Sequence, residues 1–202
     1  MGIVIRQSLK GSIVTYLGTA IGTFNVIFLY NKFLSQEQVG LIAGALVSIP
    51  LIFASFTQLG IPHIAVRFFP HFDDPKNGHK GFFTFLLVAP LFGLALFVLG
   101  YLALKPLFFE VYSANSPLLP QYFYYIIPLT ASYLYMSVLE AYARVHLRIV
   151  VPAIIRELYL RVSNGVLVIA FALGYLTFNQ LILAITLSYV VAFAGLLAYI
   201  KQ

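Results

Sequence analysis

The run GFFTFLLVAPLFGLALFVLGYLAL, residues 81–104, contains no Asp, Glu, Lys, Arg or His in 24 residues. A bilayer core is crossed by about 20 helical residues, and a helix on the surface of a soluble protein needs a polar face that this run lacks. It reads as a membrane-spanning helix and sets the scale on which the rest of the chain divides. Further apolar blocks of similar length fall at 11–30, 40–60, 122–144, 152–175 and 181–200. The expected fold is all-α: a polytopic membrane protein, one six-transmembrane-helix bundle over residues 1–202.

Composition agrees. Of 202 residues, 61% are hydrophobic and 9% charged, whereas soluble domains carry about 25% charged residues. There are too few charges to cover a water-facing surface. Cysteine is absent, which excludes disulfides, thiol nucleophiles and thiolate metal sites. A net charge of +6 would fit a nucleic-acid partner only if Lys and Arg shared a solvated face; here they stand between apolar blocks, so no nucleic acid is expected. The block at 11–30 follows Arg6 and Lys10 but is too long for a signal-peptide core, and further spans follow it.

The links between blocks give the topology. A polar loop carrying Arg67, Asp73, Asp74, Lys76 and Lys80 follows the second block, a Pro-punctuated connection covers 105–120, and a tight turn near Asn179 precedes the last block. Sorting Lys and Arg by alternate sides puts ten on one side (Arg6, Lys10, Arg67, Lys76, Lys80, Arg144, Arg148, Arg156, Arg161 and Lys201) against two, Lys32 and Lys105, on the other. The positive-inside rule makes the richer side cytoplasmic, and with it both termini.

Three helical faces stand out. At 100° per residue, Gly11, Ser12, Thr15, Gly18, Thr19, Gly22, Thr23 and Asn25 share a sector of roughly 160°. Small residues there read equally as a helix-packing seam or as the wall of a hydrated cavity, and the two readings are compatible. Thr130, Tyr133, Ser137, Glu140, Arg144 and Arg148 form a polar stripe of about 80° on the fourth block, and Glu157, Arg161 and Asn164 align on the fifth. Glu140–Arg144 and Glu157–Arg161 are i,i+4 pairs. Arginines near helix ends can snorkel to the interface; that reading is the stronger one for Arg148 and Arg156 and stays open for Arg161. Glu140, about a turn deeper than Arg144, needs that partner, water or a proton.

His63, His71 and His79 lie near Asp73 and Asp74, but their spacing matches no metal-ligand motif, so they read as part of a solvated loop. No phosphate-binding Gly-rich loop, nucleophile elbow or HExxH motif occurs. Neither enzymatic chemistry nor a cofactor is expected.

Lys10-Gly11-Ser12 opening a Gly-rich first helix, Leu34-Ser35 to Glu37 with Gly40-Leu41, Leu59-Gly60-Ile61-Pro62 leading to Arg67-Phe68-Phe69-Pro70, and Arg144 followed by Pro152, Arg156, Glu157 and Arg161 carry a resemblance. In their order the chain resembles the amino-terminal half of Wzx-like polysaccharide flippases of the multidrug/oligosaccharidyl-lipid/polysaccharide exporter superfamily. The resemblance implies transfer of an undecaprenyl-pyrophosphate-linked oligosaccharide across the cytoplasmic membrane for surface polysaccharide. It also implies a two-lobed transporter, of which this chain supplies one lobe; truncation of a longer protein, rather than pairing of two copies, is the expected source of the second. Membrane lipids and a polysaccharide polymerase are the other expected partners.

On that reading Arg144 and Arg161 attract the pyrophosphate, since Arg is well shaped for phosphate oxygens. Asn25, Tyr133, Ser137 and Asn164 meet sugar hydroxyls, and Glu140 and Glu157 serve ion coupling. Rival readings are a multidrug exporter of lipophilic cations, disfavoured by an arginine-lined cavity, and a non-transporting scaffold of polysaccharide export.

Overall fold

The computed structural model describes residues 2–72, 81–112 and 118–201. Helix α1 consists of Gly2–Phe24, a π-helical turn Asn25–Tyr30 and a last turn Asn31–Phe33. Helix α2 comprises Gln36–Val39, a π-turn Gly40–Ala45 and Leu46–Thr57; α3 is Ile61–Phe72, α4 Phe82–Ala103 and α5 Lys105–Tyr112. A 3₁₀ stretch Leu119–Tyr125 leads into α6, Ile126–Val145. Helix α7 is Val150–Ala153, a π-turn Ile154–Tyr159 and Leu160–Ala172, and α8 is Phe178–Ile200. The described chain is thus all-helical. Four helices are long and apolar enough to cross a membrane: Ile5–Phe33, Gln36–Thr57, Phe82–Ala103 and Phe178–Ile200. The other two expected spans, α6 and α7, are more polar, because they carry Glu140, Arg144, Arg156, Glu157 and Arg161.

Caps begin two of these helices earlier than the apolar pattern does. Ser35 and Gln38 form a capping box at α2, and Thr177 and Gln180 form one at α8. Each satisfies backbone N–H groups that the first turn leaves without partners.

Between α2 and α3 the helix breaks. Leu59 and Gly60 have positive φ, 47° and 74°, and the chain resumes at once as α3, whose apolar residues Ile61, Ala65 and Phe69 are buried at i, i+4 and i+8. Arg67, His63 and His71, expected in a polar loop, therefore stand on a helix. Asp73, Asp74, Lys76, His79 and Lys80 lie outside the described residues. The connection expected over 105–120 also contains a helix, α5.

Helix α6 is the hub. It buries residues on all sides, from Ile126 and Leu129 to Ala141, Tyr142 and Ala143, and packs against α2, α3, α4 and α8. Contacts fix the directions of the chain. Tyr122 meets Phe178 and Tyr133 meets Tyr189, so α6 and α8 run parallel. Tyr101 stacks on Phe123 and Phe83 meets Tyr142, so α4 runs opposite to α6. Ser137 bonds Gln58 and Tyr142 meets Phe69, so α2 and α3 continue one another along α6. Along α1, Gly11, Gly18 and Gly22 meet Ile149, Glu157 and Arg161 in the same order, so α1 and α7 are parallel.

Basic segments gather at one end of this bundle. Gly11 lies against Ile149, Phe69 against His146 at 4.8 Å between ring centroids, and Arg148 over the Tyr199 ring at 5.7 Å. The beginning of α1, the α6–α7 turn and the end of α8 therefore share a level. At the other end Tyr101 and Phe123 stack with centroids 4.2 Å apart, one of several ring contacts worth about 0.5–1.5 kcal/mol each beyond area burial. Tyr122 bonds Asn179 there, and Lys105 donates to the Tyr124 hydroxyl at 2.8 Å.

Candidate functional site

The three π-turns contribute to one cavity. A π-turn carries an extra residue, shifting the phase of the side chains beyond it, and such turns recur at functional sites. Asn25, Val26, Ile27 and Tyr30 from α1, Ile42 and Ala43 from α2, and Arg156 and Glu157 from α7 line a space of about 550 Å³, together with Tyr133, Arg161, Asn164 and Tyr189. Of the residues expected to bind substrate, Asn25, Tyr133, Arg161 and Asn164 are brought together here.

The walls are held by specific contacts. Asn25 is 4% exposed and its Nδ2 donates to the Arg161 carbonyl at 2.7 Å. The Tyr133 hydroxyl donates to that of Tyr189 at 3.1 Å. Asn164 is also buried, and its Oδ1 has no hydrogen-bond partner among the described residues. An orphaned buried acceptor is expensive unless something supplies a donor.

The small-residue face of α1 divides its labour. Gly18 lies so close to α7 that a Cβ would stand 2.5 Å from the Glu157 carbonyl oxygen. At Gly22 a Cβ would stand 2.8 Å from Arg161 Nη1, so the missing side chain leaves the room that the guanidinium occupies. Thr15 and Thr19 instead bond back to their own helix, at Gly11 and Thr15. Glycines form the seam, and Thr23 and Asn25 face the cavity.

Four charges alternate in a ladder of which Arg156, Glu157 and Arg161 line this cavity and Glu140 stands outside it. Glu140 Oε2 accepts from Arg156 Nη1 at 2.8 Å, Arg156 Nε lies 3.9 Å from Glu157 Oε1, and Glu157 Oε2 accepts from Arg161 Nη2 at 2.6 Å. The i,i+4 pair Glu157–Arg161 is present as expected. The pair Glu140–Arg144 is not: Glu140 turns to α7 and takes Arg156. An i,i+4 pair contributes only about 0.2–0.5 kcal/mol, and a guanidinium aimed from the next helix at a carboxylate that is 15% exposed outweighs it. Arg156, expected to snorkel outward, instead turns to Glu140 with 39% of its side chain exposed.

Arg144 is not brought to Arg161. It lines a second space, of about 450 Å³, between α3, α6 and α7, with Arg67, Ser137, Glu140 and Arg156. Ser137 there donates to Gln58 Oε1 at 3.0 Å, beside the α2–α3 break. Arg148 also leaves the α6 stripe. The helix ends at Val145, and Leu147 has a positive φ of 58°. No family model, curated protein or solved structure matches this chain. The site's chemistry rests on its own residues: amide and phenol groups for hydroxyls, guanidiniums for an anion, and two carboxylates that tie those guanidiniums in place.

Proposed function

We propose that this chain is a six-span membrane protein, one lobe of a Wzx-like flippase that moves undecaprenyl-pyrophosphate-linked oligosaccharide across the cytoplasmic membrane by alternating access. The observation that carries the reading is the meeting of Arg156 and Arg161 with Asn25, Tyr133 and Asn164 on one cavity. A pyrophosphate offers oxygens that suit a guanidinium fork, a sugar offers hydroxyls, and a prenyl tail can stay in lipid. Helices that alternate in direction support six spans, with α6 and α7 tolerated because Glu140, Arg156, Glu157 and Arg161 answer one another in ion pairs. Rocking against a second lobe would supply access from either side.

Arg161→Ala is expected to lower surface polysaccharide about tenfold at unchanged protein abundance, and Arg161→Lys to recover only part, since Lys keeps the charge but not the fork. Full polysaccharide output from Arg161→Ala would overturn the reading. A cation exporter draws on Glu157, the carboxylate of the cavity wall, but two guanidiniums already hold that group. Binding of lipid-linked sugar without its translocation would instead favour a scaffold.

Gathering of the basic segments at one end supports a cytoplasmic location for both termini. With no native cysteine, a cysteine introduced for the exposed Gln36 should react with an impermeant maleimide in intact cells, and one replacing Lys201 only after lysis. The opposite pattern would invert the topology.

A further inference from the structure

The cleft between α3, α6 and α7 holds more positive charge than the proposed transport reaction uses. Arg67, Arg144 and Arg156 face it from three helices, with His63 and Ser137, against a single carboxylate, Glu140. That carboxylate is answered by Arg156. Neither Arg67 nor Arg144 has a carboxylate within ion-pair distance among the described residues. The positive-φ turn at Leu59 and Gly60 starts α3 so that Arg67 comes to the same cleft as Arg144. Two guanidiniums that face one cleft, neither in an ion pair with a described carboxylate, attract an anion, and at about 450 Å³ the cleft accepts one of considerable size.

The surroundings indicate the source of that anion. Beside the arginines the cleft wall is apolar at Pro62, Val66 and Ala141, and Val66 is 43% exposed. A soluble phosphate has no use for such a rim, whereas a lipid would lay its acyl chains on it. The cleft also adjoins the end where Arg148 and the α6–α7 turn gather, the end assigned to the cytoplasm. Acidic lipids concentrate in that leaflet, and basic pockets between membrane helices on that side take their headgroups.

We propose that this cleft is a phosphate seat filled by the headgroup of an acidic glycerophospholipid, with Arg67 and Arg144 as its ligands and Pro62 and Val66 under the acyl chains. It rests on the membrane-embedded reading but not on flipping: Arg161 and the larger cavity take no part.

The test is lipid binding to the purified full chain, by native mass spectrometry with equimolar dioleoyl phosphatidylglycerol and dioleoyl phosphatidylcholine, and by the rise in melting temperature each lipid gives. Phosphatidylglycerol should be retained preferentially. Arg67→Gln/Arg144→Gln should weaken that binding by about tenfold or more, whereas Arg161→Gln should keep it. The exposed Arg67→Gln alone, expected to fold normally, should show a several-fold loss if the double variant proves unstable. Equal retention of the two lipids by the native chain, or an undiminished preference in Arg67→Gln, overturns the proposal. Protection by inorganic phosphate equal to that by phosphatidylglycerol overturns the lipid source. Loss of transport in Arg161→Ala with lipid preference intact supports this seat and the flippase reading separately; failure of the flippase reading leaves the binding result unaffected.

Discussion

Replacing Arg156 with Gln is expected to destabilise the folded protein by about 2–3 kcal/mol, while Arg144→Gln changes stability by less than about 0.5 kcal/mol. Glu140 has one carboxylate oxygen on Arg156 and a second, buried, with no hydrogen-bond partner among the described residues. Losing Arg156 strands that charge. Breaking a fully buried pair costs about 3–5 kcal/mol; the Arg156 side chain is 39% exposed, so solvent screens part of the loss and the lower figure applies. Glu140→Gln should cost less, because Arg156 keeps Glu157 nearby and its path to solvent. The double variant should regain most of the stability lost in Arg156→Gln, giving a coupling of about 1 kcal/mol or more in a double-mutant cycle. Thermal unfolding of all four proteins in one detergent measures it. If Arg144→Gln proves as damaging as Arg156→Gln, the partner of Glu140 is the one on its own helix and the interhelical ladder is wrong.

Gly18→Ala is expected to destabilise by about 2 kcal/mol, and Gly18→Leu by more. Two effects oppose each other. Alanine in a helix interior is favoured over glycine by about 1 kcal/mol, but its Cβ would lie 2.5 Å from the Glu157 carbonyl oxygen and 2.9 Å from the carbonyl carbon. Both atoms are backbone, so relief requires α1 and α7 to separate rather than a side chain to turn. Separation loosens the packing and displaces Glu157 from Arg161. Gly195→Ala is the control: nothing lies within 4 Å of a Cβ on that helical glycine, and it should stabilise by up to about 1 kcal/mol. A melting temperature for Gly18→Ala at or above that of the native protein would mean that the two helices do not pack through this seam.

Helix type, the location of the four most apolar helices and the alignment of Glu157, Arg161 and Asn164 are legible in the sequence, because each depends on residues near one another along the chain; the extension of α1 from Gly2 to Phe33, beyond the apolar block 11–30, is not. Runs such as 81–104 exclude a polar face whatever packs on them, and i,i+4 geometry holds in any helix. The capping boxes at Ser35 and Thr177 were equally local signals, and they explain why α2 and α8 start ahead of their apolar blocks. The partner of Arg156 is not legible, for the opposite reason. That partner is sixteen residues away on another helix, and the π-turn at Ile154–Tyr159 breaks the 100° arithmetic that assigns faces. Read along the chain, Arg67 falls in a loop because Pro62 and Pro70 punctuate its segment and the polar residues Asp73 to Lys80 follow it, whereas burial of Ile61, Ala65 and Phe69 against the bundle makes that segment a helix. The sequence by itself determined a helical chain with crossing-length apolar runs and polar stripes on the fourth and fifth blocks; which carboxylate meets which guanidinium, and that Arg144 and Arg161 face separate spaces, only the tertiary structure decided, since partners for half-buried charges are chosen by the close approach of helices and not by spacing along one of them.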